Sequence, residues 1–268
     1  MNLLIIGKNS LLCRLFLENT SIKDYQICSR NNFKKINFNN FTHVINFSFN
    51  PKLKINKYQK KLDFDLQLST IISRYRIIYI FISTRFIYSG IRKKFIETSK
   101  KKLKPKNIYG KNKLIIENKI RKIIPKRHLI LRLSTILYFN LHYKRKLFSY
   151  EMLKRLKVKK EIYFNFSKDT YKDFILPGYF AKSLDKLILN NVTGTYNLCS
   201  GIKIRVRNMA KKIIEGFKSG KIIFNNKSYV DQSFSMSNKL LFKKTGILLS
   251  LKEIYDYCIY MGLKTKNE

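Results

Sequence analysis

Three side chains could together move a proton beside a carbonyl group: Thr84, Tyr109 and Lys113. A free tyrosine titrates near ~10 and is a poor base at neutral pH. A lysine ammonium a few ångströms away favours the phenolate and lowers that value. A hydroxyl such as that of Thr84 can hold a carbonyl or alcohol oxygen beside the phenol. Tyr109 can then give or take the proton while a hydride moves to or from a nicotinamide. Tyr109 and Lys113 stand just over one helical turn apart, so a helix carries both on one face. Alone, a Tyr-x-x-x-Lys pair is a weak signal in a chain with 17 tyrosines and 56 basic residues. Its weight depends on what surrounds it.

The surroundings alternate between strand and helix patterns. Thr84 follows the apolar run Ile77-Ile78-Tyr79-Ile80-Phe81-Ile82, bounded like a buried strand and too short for a membrane span. Tyr109 opens a helical pattern that runs to about Ile124 and stops at Pro125, before a further strand from His128 to Leu133. At the start of the chain, Asn2-Leu3-Leu4-Ile5-Ile6 reads as a buried strand, Gly7 as a turn and Ser10 to Leu17 as a helix. Strand, glycine and helix open a dinucleotide-binding unit, in which the helix start faces a pyrophosphate. Gly7 keeps the first glycine of that turn, while Ser10 and Cys13 stand at the second and third positions. Serine narrows the approach of backbone to phosphate and cysteine pushes the helix slightly off the sheet; both are small enough to keep the fold.

Tyr25-Gln26-Ile27-Cys28 reads as a second strand, followed by Ser29-Arg30. An acidic residue there would bind the ribose hydroxyl of NAD, whereas an arginine accepts the 2′-phosphate of NADP. Arg30 therefore leans toward NADP; in so basic a chain the alternative is a solvated arginine. A third strand, His43 to Phe47, brings Asn46, Phe47 and Ser48 to its carboxyl end, and a helix over Asp63 to Tyr75 leads into the strand before Thr84. This alternation implies a parallel sheet with right-handed crossovers, with ligands at the carboxyl ends of its strands.

Beyond about residue 145 the pattern loosens. Strands are expected over 161–166 and 195–198, and helices near 178–190, 206–217 and 251–261. The reading is an α/β protein: a Rossmann-type doubly wound parallel sheet over residues 1–145 and a smaller C-terminal substrate lobe over 146–268, with interleaving of the two allowed.

Composition narrows the classes. A hydrophobic fraction of 45% suits a globular chain, and the candidate span at 129–139 carries Arg132 in its middle, so no membrane span is expected. The start lacks a basic segment and a small-residue cleavage site, which makes the cytoplasm the default location. Cys13, Cys28, Cys199 and Cys258 have no CxxC spacing and read as reduced core residues, and His43, His128 and His142 form no metal-ligand pattern. A formal charge of +40 gives non-specific attraction to polyanions. The basic residues are spread along the chain and Lys100-Lys101-Lys102 is the longest lysine run, so no specific nucleic-acid partner is expected. The stretch from Lys100 to Lys106 reads as a solvated loop; the alternative is that it helps to attract an anionic substrate.

Taken together, the segments resemble the extended short-chain dehydrogenase/reductase family of sugar-nucleotide epimerases, dehydratases and reductases. Leu4-Ile5-Ile6-Gly7 with Leu11, Leu12 and Arg14 is similar to that family's opening strand, turn and helix. Ile82-Ser83-Thr84-Arg85-Phe86-Ile87-Tyr88-Ser89-Gly90 resembles its Ser-Ser/Thr segment, and Pro105, Tyr109-Gly110-Lys111-Asn112-Lys113 and Glu117 resemble its catalytic helix. Ile130 to Tyr138, Asp173-Phe174-Ile175 and Gly194 to Gly201 look like three later segments. The matches come in the family's order and cover nearly the whole chain.

The resemblance implies that Thr84 orients the substrate, that Tyr109 is the general acid/base and that Lys113 lowers the tyrosine pKa and holds a ribose. It implies NAD or NADP bound along Gly7, Asn9, Ser10, Leu11, Leu12, Arg30, Asn46, Phe47, Ser48, Ser83, Tyr109, Lys113 and Leu133. It also implies a nucleotide-sugar substrate and allows a homodimer through helices including that of Tyr109. Dehydratases carry acidic residues directly after the threonine; Arg85 and Phe86 stand there, which points to a reductase or an epimerase. Leu176-Pro177-Gly178-Tyr179-Phe180-Ala181 departs from the family's substrate-side motif. The rival expectation, prompted by Ser10 and Cys13, is a catalytically impaired binding scaffold on the same fold.

Overall fold

The computed structural model describes residues 1–89, 94–97, 103–139, 148–225 and 232–268. Gly90, the Lys100-Lys101-Lys102 run and His142 fall outside them. In chain order the first half contains β1 (Leu3–Ile6), α1 (Leu11–Leu17), β2 (Tyr25–Cys28), β3 (His43–Asn46), α2 (Phe64–Ile72), β4 (Ile78–Thr84), β5 (Lys94–Phe95), α3 (Ile108–Ile123), β6 (His128–Leu133) and β7 (Thr135–Ile136). The second half contains α4 (Phe148–Lys159), β8 (Glu161–Phe164), β9 (Tyr171–Lys172), β10 (Phe174–Ile175), α5 (Pro177–Leu189), β11 (Gly194–Leu198), β12 (Ile204–Arg205), α6 (Val206–Phe217), β13 (Lys221–Phe224), β14 (Ser235–Met236), α7 (Lys239–Thr245) and α8 (Leu251–Asn267).

Six strands form one parallel sheet in the order β11-β6-β4-β3-β1-β2. Its inner strands are apolar on both faces because helices cover both. Alternate residues go to opposite sides, as the pleat requires. Leu3, Ile5, Ile80, Ile82, Leu129 and Leu131 join the core on the α1 and α5 side. Leu4, Ile6, Tyr79, Phe81 and Ile130 join the core under α2 and α3. The sixth strand, β11, comes from the C-terminal half and pairs with β6 from Gly194↔Leu129 to Leu198↔Leu133.

The strand order reverses at β1. The chain goes outward to β2 and then returns across β1 to β3, so a crevice opens above the carboxyl ends of β1 and β3. Register aligns the loops that face it: Ile6 pairs with Asn46 and Thr84 with Leu133. Outside the sheet, the described residues form four two-stranded ladders: β7–β10, β9–β12, β8–β13 and β5–β14.

The sequence expectations for β1, β2, β3, β4, α3 and β6 are met with shifts of a residue or two at the ends. Helices α4 and α7 and the strand β13 were not expected. All four cysteines are buried and unpaired. Burial pushes the Cys13 thiol up to about 11, which suits a packing role beneath α1. His43 and His128 are buried, and His128 Nδ1 lies 2.7 Å from the Ile124 carbonyl oxygen. Among the described residues no helix is long and apolar enough to cross a membrane, and no group of three or more His, Cys, Asp or Glu side chains could hold a metal ion.

Candidate active site

A cleft of about 830 Å³ lies above the carboxyl ends of β1, β3, β4 and β6. Every residue named above for catalysis or cofactor binding lines it, from Gly7, Asn9, Ser10, Leu11 and Leu12 through Arg30, Asn46, Phe47 and Ser48 to Ser83, Thr84, Tyr109, Lys113 and Leu133. Its two walls are built differently.

One wall is the turn between β1 and α1. Gly7 has φ +108°, a conformation that side chains disfavour. A Cβ there would also stand 2.7 Å from the Ser48 backbone nitrogen, so the first glycine serves close contact with the turn after β3. Ser10 is the N-cap of α1, and its hydroxyl makes no capping bond. No capping bond from Ser10 therefore occupies the amides of the first turn. Cys13 is fully buried in the core and does not reach the cleft. Arg30 is exposed at the end of β2, with its guanidinium carbon 5.8 Å from the Phe64 ring centre.

The other wall carries Thr84, Tyr109 and Lys113. Helix α3 starts at an Asn107 cap, whose side chain accepts from the Gly110 amide at 2.8 Å. Gly110 is required for a packing reason: a Cβ there would run into the Phe86 carbonyl oxygen. The bare glycine lets the first turn of α3 seat on the turn after Thr84. Tyr109 is thereby placed with its ring edge-on between Phe49, 5.6 Å away, and Phe86, 6.1 Å away. Asn112, in the position where the resembled motif has serine, points away from the cleft. Its amide donates to the carbonyls of Leu53 and Asn56, at 2.8 Å each, and pins their loop.

Lys113 is buried, with its ammonium donating to the Ile82 carbonyl at 2.7 Å and lying over the rings of Phe49 at 4.1 Å and Phe81 at 4.3 Å. Burial lowers its pKa to about 8, against the opposing pull of Asp65 and Glu117. Tyr109 moves the other way. Burial raises it to about 12, Thr84 hydrogen-bonds to it and pulls it down, and Asp65 adds to the rise. The expected lowering of the tyrosine pKa by Lys113 is therefore not found, because the ammonium is turned to the Ile82 carbonyl and burial of the phenol outweighs other effects.

Behind this wall lies a buried polar network. Ser83 donates to Glu117 at 2.5 Å, and Arg132 meets both carboxylate oxygens of Glu117, at 3.2 and 2.8 Å. Arg132 also donates to the Tyr88 hydroxyl at 2.9 Å, which in turn donates to Asn197 at 2.7 Å. Burial opposes the charge on Glu117, but Arg132 overrides it and holds the carboxyl below its ordinary range. Elements β4, α3, β6 and β11 are thus tied together one residue beneath Thr84 and Leu133.

Ser134, Thr135, Ile136, Tyr138, Phe148 and Ser149 complete the cleft. Asp173 is buried and accepts from the amides of Ser200 and Gly201 at 2.9 and 3.0 Å, while its carbonyl accepts from Ser134 at 2.6 Å. This joins three segments that the sequence placed far apart. The divergent stretch after Ile175 starts α5, with Pro177 in its first turn and the Tyr179 hydroxyl donating to the Cys199 carbonyl at 3.0 Å. Sequence reasoning missed Lys8, Lys54 and Phe49, which also line the cleft. It missed Asp65 as well, which lies buried behind Asn46. None of them sits in a spaced motif; only the topology brings them together.

An α/β fold with a six-stranded parallel sheet and a cleft at its switch point is the class that these features define. The chain belongs to the RmlD substrate binding domain family, whose pattern matches residues 54–224. Among solved structures, dTDP-4-dehydrorhamnose reductase from Yersinia enterocolitica superposes with a TM-score of 0.77 at 15% identity, covering 98% of this chain and 99% of the other. RMD from Pseudomonas aeruginosa, complexed with NADPH, gives 0.78 at 14% identity over 100% of both chains. UDP-N-acetylglucosamine 4-epimerase from Methanobrevibacter ruminantium M1, in complex with UDP-N-acetylmuramic acid, gives 0.79 at 12% identity over 99% and 97%. No curated protein matches the chain in sequence.

Proposed function

We propose that the protein is an NAD(P)-dependent oxidoreductase or epimerase acting on a nucleotide-activated sugar. The observation that carries this reading is the gathering of Thr84, Tyr109, Lys113 and the Gly7–Leu12 turn around one cleft at the switch point of the sheet. The ligands of two similar structures, NADPH and UDP-N-acetylmuramic acid, support the same pairing of a nicotinamide nucleotide with a nucleotide sugar.

The residues present fit a dinucleotide. Gly7 lets its turn lie close against the Ser48 backbone, and the first turn of α1, with no capping bond from Ser10, and the cations Lys8, Arg30 and Lys54 suit its phosphates. The bound nicotinamide would supply or accept the hydride. Thr84 holds the substrate oxygen and Tyr109 exchanges its proton. With the phenol at about 12, Tyr109 is protonated throughout the neutral range and suited to act as an acid toward a keto sugar. Arg85 follows Thr84 with its guanidinium between the rings of Phe86 at 4.1 Å and Phe234 at 3.8 Å. A cation there offers no base for dehydration, which supports reduction or epimerisation.

The test is titration of purified protein with NADPH and NADH by fluorescence at about 0.15 M salt, where exposed charges are partly screened. Saturable binding is expected, tighter for NADPH, with Arg30→Ala narrowing the difference. Absence of binding by both nucleotides would reject the enzyme in favour of a scaffold. Turnover would then be sought with 4-keto and 4-hydroxy nucleotide sugars.

A further inference from the structure

Asp65 is an acid that neither the fold nor the proton transfer described above calls for. It lies in the first turn of α2, where a negative charge suits the helix start, yet its side chain is 3% exposed. Burying a carboxylate is costly unless hydrogen bonds and an opposite charge compensate. Both are present. Its Oδ1 accepts from Asn46 Nδ2 at 2.7 Å and from the Tyr79 hydroxyl at 2.5 Å.

The bond to Asn46 has consequences in the cleft. With Nδ2 committed to Asp65, the carboxamide has one orientation, and its Oδ1 accepts from the Ser48 amide at 2.9 Å. Ser48 is the backbone that Gly7 packs against. A chain of contacts therefore runs from Asp65 through Asn46 and Ser48 to the turn that would carry the cofactor phosphates. In the other direction, Asp65 acts on the Lys113 ammonium. The charged groups that bear on Lys113 are Asp65 and the α2 cap Asp63 on one side, Glu117 from its own helix, and Lys54 from the loop after β3. Glu117 is engaged by Arg132 and Arg121, and Asp63 accepts from Tyr58 and the Leu66 amide. Asp63 and Asp65 both lack a cationic hydrogen-bond donor; Asp63 caps α2, whereas Asp65 accepts from Asn46 and Tyr79 at the cleft side.

We propose that Asp65 is the positioning residue of this cleft: it fixes the Asn46 carboxamide under the nucleotide turn and serves as the counter-charge of Lys113, so that one carboxylate sets both walls. The proposal rests on the reading of the cleft as a nicotinamide-dependent active site. It adds that the turn and the catalytic helix are coupled through α2, an element that touches no substrate.

Two substitutions separate the halves. In Asp65→Asn the amide oxygen can still accept from Asn46 and Tyr79, so mainly charge is lost. In Asp65→Ala the acceptor is lost as well. The Lys113 side chain is followed by ¹⁵N NMR over a pH series in full-length protein, its signal assigned by its loss in Lys113→Arg. NADPH is the probe for the nucleotide turn. Asp65→Asn is expected to lower the Lys113 midpoint by about one unit or more while changing NADPH affinity less than about threefold. Asp65→Ala is expected to weaken NADPH by about tenfold, as is Asn46→Ala, which serves should Asp65→Ala fail to fold. A purely structural aspartate would lower the melting temperature and leave the Lys113 midpoint in place, and that result overturns the counter-charge. NADPH binding unchanged in folded Asp65→Ala and in Asn46→Ala overturns the positioning. If the unmodified protein binds no nicotinamide nucleotide, the enzyme reading falls, while the Lys113 titration still decides the counter-charge.

Discussion

The two walls of the cleft follow opposite building rules. The Thr84–Tyr109–Lys113 wall is set by side chains: Phe49 and Phe86 clamp the tyrosine, Ile82 takes the lysine, and Ser83, Glu117 and Arg132 lock the strands beneath. The Gly7–Leu12 wall is set by backbone: a positive φ, an uncapped helix start and a contact with the Ser48 nitrogen. A wall of backbone amides tolerates changes of side chain, provided they are small and point elsewhere. That is how Ser10 and Cys13 can replace glycines while the turn keeps its shape. A wall of interlocked side chains has no such freedom, and there the threonine, tyrosine, glycine and lysine all remain.

The comparison can be broken from the rigid side first. Tyr109→Phe removes the proposed acid while keeping the ring between Phe49 and Phe86, so turnover should fall by about 10²–10⁴ with NADPH affinity retained. Retained turnover would mean that another group moves the proton. The same assay carries a pH test. Tyr109, at about 12, stays protonated across the working range, whereas Lys113 titrates near 8. Because burial favours the neutral lysine, the cation is complete below about 8, and reduction should slow as pH rises through that value. Glu117→Gln leaves Arg132 buried opposite a neutral amide. A thermal melt should record a loss of about 3–5 kcal/mol, and an unchanged melt would mean that the network is dispensable.

Smaller effects sharpen the contrast. Gly110→Ala forces a methyl against the Phe86 carbonyl. It should cost about 1–3 kcal/mol in unfolding experiments and lower kcat more than KM, since Tyr109 shifts with the helix. Ser10→Gly restores a glycine on the backbone wall. It should change stability by only a few tenths of a kcal/mol and NADPH affinity by less than about threefold. A gain above tenfold would show that the two walls are not built so differently.

Which parts were legible in the sequence follows from the same distinction. Strands β1, β3, β4 and β6 could be read because a sheet buried on both faces demands continuous apolar runs between turn residues. That Thr84, Tyr109 and Lys113 meet at one cleft could be read because a strand end places the threonine and one helical turn spaces the other two. Helix α4 was missed: it has a buried face of Ser149, Met152, Leu153 and Leu156, but in a basic chain its polar face resembles every other surface. The two-residue strands that frame the lobe are too short to leave a pattern. The bond between Asn46 and Asp65 was invisible for another reason. Asp65 and Asn46 lie on separate elements, and nothing local tells that their side chains meet. The tyrosine pKa was misjudged because burial depends on Phe49 and Phe86 closing over the ring, which spacing does not record.

Strand β11 has a consequence for how the protein is made. It supplies the outer edge of the sheet beside β6, and Asn197 within it accepts from Tyr88 and donates to the carbonyls of Phe95 and Ser237. During synthesis, β6 emerges well before its neighbour. Until the chain has passed Leu198, β6 presents an unpaired apolar edge, of the kind that templates aggregation. The nascent protein therefore passes through a stage in which that edge is uncovered, and association with other chains is favoured there.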